Sequence, residues 1–155
     1  PDAAAPATAR PIGEPAYLRT DSQALDWTNA GMELGDPPHG WNKWTGSGRV
    51  ELGRDTTVFR SAPVSLRLRG DAPGAHGNAN RALPVVASPL RVRGFVKHEA
   101  SLAEAPLLAV QCFDSAGKQV AWLPLATRNA DAGWSLFEGQ ITFPAGTRSA
   151  YLVTM

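Results

Sequence analysis

Hydrophobic and polar residues alternate with a period of two along much of the chain, which is typical of β-strands with one buried face. In residues 64–69, Val64, Leu66 and Leu68 fall on one face, and a serine and two arginines fall on the other. Similar segments cover residues 49–52, 63–70, 89–98, 106–114, 118–125, 134–143 and 149–155. Short strands at this spacing, separated by turn signals, predict a β-sandwich or a β-barrel.

Proline and glycine interrupt the chain often enough to leave few windows for a helix. There are 13 prolines and 15 glycines, and one helical turn is predicted, at residues 22–27. Gly117, in the segment DSAGK, predicts a tight hairpin turn because glycine adopts positive φ without strain. The polar segment GDAPGAHGNAN, residues 70–80, predicts a mobile loop.

Length and composition predict one domain, residues 16–155, after a flexible tail or linker rich in proline and alanine, residues 1–15. The tail has the composition of a segment left after removal of a signal peptide, so an extracellular or periplasmic bacterial protein is expected. The absence of an initiator methionine agrees with signal removal and agrees equally with a sequence taken from a longer chain. A net charge of +1 gives no large field for nucleic acid. No apolar stretch approaches the roughly 20 residues of a membrane span, so no membrane insertion is predicted.

Reactive side chains are sparse and show no catalytic spacing. Cys112 is the single cysteine and lies in the apolar run LLAVQCF, which favours a buried, inert thiol over a nucleophile. The three histidines stand in separate segments without the spacing of a zinc site, and no G-x-S-x-G nucleophile motif is present. The aspartates fall mainly in predicted turns. The domain is therefore predicted not to be an enzyme itself.

Five segments follow one another in a recognisable order. NAGMELGDPPHGW, residues 29–41, is similar to an N-x-G-F-E-x-G strand followed by a P-x-G-W corner. It is followed by RSAPVSLRL at 60–68, PLRVRGFVK at 89–97, LAVQCFDSAGK at 108–118 and GWSLFEGQITFPAGTRSAYLVTM at 133–155. Together these segments resemble the galactose-binding-like jelly-roll superfamily, which includes carbohydrate-binding modules attached to xylanases and other polysaccharide-active enzymes.

The resemblance implies an all-β jelly-roll β-sandwich of two antiparallel sheets. The sequence departs from the pattern at Met32, where phenylalanine is usual, at Ala62-Pro63, and at its end, where an Asp-Asp-Val strand is usual. The domain is therefore expected to lack its last strand, as a fragment or as a fold that a neighbouring segment completes. In such modules the glutamate equivalent to Glu33 often binds a structural calcium, so Glu33 is a candidate metal ligand, with bonding to turn amides as the alternative.

The face shared by Arg91, Arg93, Phe95 and Lys97 is a candidate binding surface. Rings combined with hydrogen-bonding groups suit polar carbohydrate, and the cations favour an acidic sugar such as a uronate. The alternative interpretation is a solvated sheet face. Gln111 and Phe113 share a parity on the next predicted strand and would extend this face if the two strands were neighbours.

The tryptophans divide into two groups. The resemblance implies that Trp41 and Trp134 pack in the fold, whereas Trp44 and Trp122 are less constrained. Trp122, near polar loops, is a candidate for stacking on a sugar ring, with ordinary burial as the alternative. The predicted carbohydrate-binding residues are Arg93, Phe95, Lys97, Gln111, Trp122 and Arg128.

The sequence thus predicts a non-catalytic carbohydrate-binding module of a larger exported protein. Its expected partners are a poly- or oligosaccharide, acidic in character, and the other domains of its parent protein. The alternative is an interaction or spacer domain that docks on a catalytic or membrane partner.

Overall fold

The computed structural model describes residues 19–20, 23–24, 32, 34–60, 63–87, 89–98, 107–129 and 133–155, and its regular elements in these ranges are all β-strands. In chain order the strands are β1 (Arg19–Thr20), β2 (Gln23–Ala24), β3 (Trp41–Ser47), β4 (Val50–Asp55), β5 (Ser65–Gly70), β6 (His76–Leu83), β7 (Leu90–Lys97), β8 (Leu108–Phe113), β9 (Gln119–Pro124), β10 (Ala126–Asn129), β11 (Trp134–Ile141) and β12 (Ser149–Thr154). No helix in the described part of the chain has the length and hydrophobicity needed to cross a membrane.

Two antiparallel sheets form a β-sandwich of the jelly-roll type. The larger sheet has the order β3-β6-β12-β8-β9, and the smaller has the order β10-β11-β7. Two further strand pairs, β4-β5 and β1-β2, are also antiparallel. The last described strand, β12, lies in the middle of the larger sheet, where β6 and β8 satisfy its backbone groups on both sides.

The inner faces of both sheets meet in one hydrophobic core. Val110, Cys112 and Leu152 reach it from the larger sheet, and Val92 and Phe137 reach it from the smaller one. Their neighbours along each strand point outward, because side chains alternate across a strand. The alternation in the sequence therefore separates a shared apolar interior from two outer faces.

The β4-β5 pair confirms the alternation predicted for residues 64–69. Leu66 and Leu68 pack against the core together with Leu52, and Val64 is buried. Arg67 and Arg69 are exposed on the other face. Cys112 is also buried, as predicted.

Seven of the twelve strands coincide with predicted segments, and three longer strands were missed. The prediction of a mobile loop over residues 70–80 is wrong for its second half, because β6 begins at His76. The predicted helical turn at residues 22–27 is wrong at Gln23–Ala24, which form strand β2. Strand β6 has no aliphatic alternation to reveal it. Its inward side carries Ala79 and Arg81, the latter only 5% exposed, and its outward side carries asparagines.

Strands β3 and β10 were missed for a different reason. Trp41 is the only buried residue of β3, and residues 126–128 of β10 are all exposed. Both are edge strands of their sheets. An edge strand that contributes little to the core carries a weak hydrophobic pattern.

Candidate functional site

An aromatic row crosses three strands on the outer face of the larger sheet. Gln111 on β8 stands directly between Trp122 on β9 and Tyr151 on β12. The chain neighbours of all three pack against the core, so these three side chains point away from it. Each is half-buried. The row therefore presents two aromatic rings to solvent with an amide between them.

Contacts within the sheet hold two members of this row, Tyr151 and Gln111. The ring of Phe113 meets that of Tyr151 edge-on, with 5.9 Å between centroids. The side-chain amide of Gln111 donates a hydrogen bond of 2.7 Å to the side-chain oxygen of Gln119. Rings and amides held in this way lose little conformational entropy when a ligand binds.

Small residues lie beside the row and form the floor of the outer face. Ala109 and Val153 stand opposite each other on β8 and β12. They point away from the core and yet are 0% and 1% exposed, so they are covered on this face as well. Asn80 follows Val153 across the sheet, and Asn42 follows Asn80.

A second aromatic pair stands at the opposite edge of the same face. Trp44 on β3 is 51% exposed, and its indole meets the ring of His76 edge-on at 5.8 Å. Gly46, at a β-bulge, makes this arrangement possible, since a Cβ there would lie 2.6 Å from the indole and 2.9 Å from the His76 ring. This packing holds the exposed indole in a fixed orientation, which suits it to stack on a ligand.

Side-chain amides occupy the space between the two aromatic groups. Trp44 pairs across the strands with Asn78, which accepts a 3.0 Å hydrogen bond from the side chain of Asn80. Strands β3 and β9 are four strand spacings apart, which corresponds to roughly 19 Å at about 4.8 Å per spacing. We call this surface the sheet platform, and it comprises Trp44, His76, Asn78, Asn80, Gln111, Trp122 and Tyr151.

The outer face of the smaller sheet is cationic. Arg91, Arg93 and Lys97 on β7 are exposed, and Arg128 on β10 is exposed on the same face. We call these four residues the cationic strip. Phe95 lies among them and is covered by the guanidinium of Arg60, whose central carbon is 3.9 Å from the ring centroid.

Glu138 lies on β11, between the two strands that carry the strip. The side chain of Arg91 donates a 2.8 Å hydrogen bond from Nε to this carboxylate and a second bond from Nη2. Arg128 approaches its other oxygen at 3.8 Å. The hydrogen bond from Arg91, aided by the nearby charges of Arg93 and Arg128, lowers the pKa of Glu138. Glu138 therefore stays ionised and orients the arginines around it.

The predicted site residues divide between the two sheets. Gln111 and Trp122 lie on the sheet platform, whereas Arg93, Phe95, Lys97 and Arg128 lie on the smaller sheet. The expectation that Gln111 and Phe113 extend the β7 face is wrong, because the neighbours of β8 are β12 and β9.

Sequence reasoning placed some residues correctly and missed others. Trp41 is only 9% exposed and belongs to the core, as predicted, and Trp134 is half-buried at the start of β11. The grouping of Trp44 with His76 and of Tyr151 with Trp122 was not predicted. The second tryptophan of WNKW and the asparagines of GNAN were the residues in the sequence that could have indicated this surface.

The calcium prediction stays a prediction. Glu33 lies outside the described residues. Within the described ranges, no three histidine, cysteine, aspartate or glutamate side chains come close enough to hold a metal ion.

Comparison with solved structures identifies the fold. No family model and no curated protein matches the sequence. The CBM22-1 xylan-binding domain of Paenibacillus barcinonensis Xyn10C superposes with a TM-score of 0.56 at 20% identity, over 79% of this chain and 78% of that one. The C-terminal family 22 carbohydrate-binding module of Clostridium thermocellum Xyn10B superposes with a TM-score of 0.55 at 18% identity, over 81% of this chain and 85% of that one.

A bacteriophage protein shares the same fold over part of its length. The enzymatically active domain of bacteriophage CBA120 tailspike protein 4 gives a TM-score of 0.55 at 15% identity, covering 75% of this chain and 17% of that one. This chain thus spans a small part of the tailspike and most of each carbohydrate-binding module. The chain therefore has a jelly-roll β-sandwich fold like that of these family 22 modules, which confirms the fold that the resemblance in the sequence implied.

Proposed function

We propose that this chain is a non-catalytic carbohydrate-binding module that binds an extended oligo- or polysaccharide on the sheet platform. The observation that carries the proposal is the pair of aromatic groups at opposite edges of one sheet face, Trp44 with His76 and Trp122 with Tyr151, joined by side-chain amides. Aromatic faces stack on the C–H faces of sugar rings, and amides pair with hydroxyl groups.

The dimensions of the platform favour a chain over a single sugar. A separation of roughly 19 Å between the edge strands exceeds the reach of a monosaccharide. A ligand that meets both aromatic groups must be an extended oligomer. Neutral sugars suit this face, since Asn78, Asn80 and Gln111 donate and accept hydrogen bonds without carrying charge. The xylan-binding neighbours support a neutral polysaccharide as the first candidate.

The platform is equipped for binding rather than cleavage. Glycoside hydrolysis ordinarily needs two carboxylates flanking the scissile bond. The described residues of the platform are aromatic rings and amides, together with one imidazole. Xylan is an extracellular polymer, so a xylan-like ligand supports an exported parent protein whose other domains act on the same polymer.

Affinity electrophoresis through gels containing soluble xylan, glucomannan or mixed-linkage glucan tests the proposal. At least one polymer is expected to retard the protein, and Trp44→Ala and Trp122→Ala are each expected to weaken the apparent affinity tenfold or more. The matched control is Phe59→Ala, which removes an aromatic side chain that is 45% exposed and does not belong to the sheet platform. Circular dichroism verifies that each variant is folded.

Two results would contradict the proposal. One is that no polymer retards the folded protein. The other is that both tryptophan variants migrate as the unsubstituted protein does, which would place any binding elsewhere on the molecule.

A further inference from the structure

Positive charge is concentrated on the outer face of the smaller sheet. The strip brings four cations together on one face of a chain whose total formal charge is +1, and Glu138 is the carboxylate that the described residues place among them. The side chains of Arg91 and Arg128 are 68% and 72% exposed, so their charges are available to a ligand.

The strip has an order that a random solvated surface lacks. Arg91 and Arg128 converge on Glu138 from the two flanking strands. Arg93 acts on Glu138 only by longer-range attraction and has no salt bridge to any described residue. Arg93 is therefore held beside two oriented guanidinium groups while its own hydrogen-bond donors remain available for a carboxylate, which a guanidinium binds in bidentate geometry.

The spacing of the strip matches a polymer better than a small anion. Alternate residues of a strand are about 7 Å apart, so Arg91 and Arg93 are separated by about 7 Å and Arg93 and Lys97 by about 14 Å. A shallow depression of about 420 Å³ at the strip is lined by Arg91, Glu138, Gly139 and Gln140. Exposed ion pairs contribute little singly, so measurable binding requires several carboxylates on one chain.

We propose that the cationic strip is a second binding surface, which takes a polysaccharide carrying regularly spaced carboxylates, such as a polyuronate. The choice of a polysaccharide over another polyanion rests on the function proposed for the sheet platform. The carboxylate of Glu138 in the middle of the strip repels any anion and lowers the positive charge density of the strip, which disfavours the dense phosphates of nucleic acid or of a lipid surface more than carboxylates spaced along a sugar chain.

Affinity electrophoresis of the whole chain through polygalacturonate and through its fully methyl-esterified form tests this proposal. The two polymers share a backbone and differ in charge. Retardation is expected with polygalacturonate only and should decrease with added salt. The double variant Arg93→Gln/Lys97→Gln is expected to bind at least tenfold more weakly.

The matched control removes the same charge from the other sheet. Lys118→Gln/Arg148→Gln changes exposed residues that immediately precede β9 and β12, and it should bind within twofold of the unsubstituted chain. Equal losses in the two double variants would overturn the proposal in favour of diffuse attraction. Stronger strip-dependent binding to DNA or to phosphatidylserine vesicles would also overturn it.

The outcome can be separated from that of the platform. Trp44→Ala should weaken binding to the neutral polymer and leave retardation by polygalacturonate unchanged. If xylan retards the protein and polygalacturonate does not, the proposal for the cationic strip is overturned and the proposal for the sheet platform stands. Strip-dependent retardation by polygalacturonate without any by neutral polymers supports the strip and contradicts the function proposed for the platform.

Discussion

Asp55, at the end of β4, organises the turn that follows it. Its Oδ1 atom accepts hydrogen bonds from the backbone and hydroxyl of Thr57 at 2.8 and 2.7 Å and from the backbone of Val58 at 2.9 Å. These bonds, with a smaller contribution from Arg67, lower the pKa of Asp55 to about 2. The ionised carboxylate therefore stabilises the folded protein.

The lowered pKa of Asp55 predicts a specific loss of stability in acid. The folded pKa is below the ordinary value of 3.8, so the stabilisation is complete above about pH 4 and is lost as the pH falls towards 2. Asp55→Ala should lower the free energy of unfolding at pH 7 by about 1 kcal/mol, a value reduced for solvent screening. Urea denaturation at pH 7 and pH 2 measures the difference, which should shrink at the lower pH.

A suitable control for Asp55 is Asp71→Ala. The Asp71 carboxylate accepts a single 3.2 Å bond, from the backbone of Arg49. Its removal should cost less at pH 7. A deficit in Asp55→Ala that is equally large at both pH values would show that the carboxylate's charge is not what stabilises the turn.

At the scale of elements, inward-facing glycines fit β7 and β11 together. Gly94 on β7 pairs with Phe137 on β11, and a Cβ on Gly94 would lie 2.4 Å from the Phe137 ring. Gly139 makes similar room for Leu125, since a Cβ on Gly139 would lie 2.6 Å from the Leu125 side chain. The ring and the aliphatic side chain can therefore lie across the sheet and fill the core.

Gly94→Ala is expected to lower the free energy of unfolding by about 2 kcal/mol, because the added methyl group displaces a packed ring. In a double-mutant cycle with Phe137→Leu, the two changes should cost less together than the sum of the single changes. Chemical denaturation of the four proteins provides the measurement. Additive losses would show that the ring is not the source of the effect.

The tight turn between β8 and β9 is the clearest success of sequence reasoning at this scale. Gly117 has φ of 75°, as predicted, and the Asp114 carboxylate accepts hydrogen bonds from the backbones of Ala116 and Lys118. Such a turn is encoded by adjacent residues, so it can be read without knowing the fold. The bulge at Gly46 could not be predicted in this way. Its glycine makes room for the rings of Trp44 and His76, and His76 is 30 residues away in the sequence.

At the scale of the whole molecule, the sheet platform and the cationic strip lie on opposite sides of one core. The inner faces of both sheets contribute to the same hydrophobic cluster, so their outer faces point away from each other. No described residue belongs to both surfaces. Ligands on the two faces therefore share no contacts and should not compete.

This arrangement predicts simultaneous binding. Titration calorimetry with a neutral oligosaccharide should give the same affinity, within twofold, before and after saturation with polygalacturonate. The physical reason is that each ligand contacts a separate face of a rigidly packed core. Mutual exclusion of the two ligands would show that they occupy one surface.

The sequence by itself determined the alternation of buried and exposed residues, the glycine turn at Gly117 and the burial of Cys112, because each depends on neighbours along the chain. Only the tertiary structure decided which strands are neighbours. It placed Gln111 beside Trp122 and Tyr151 instead of beside Arg93, and it brought Trp44 to His76 and Arg60 over Phe95. Strand order in a sandwich is set by how all the apolar faces are buried together, and a period-two pattern has the same form in every order.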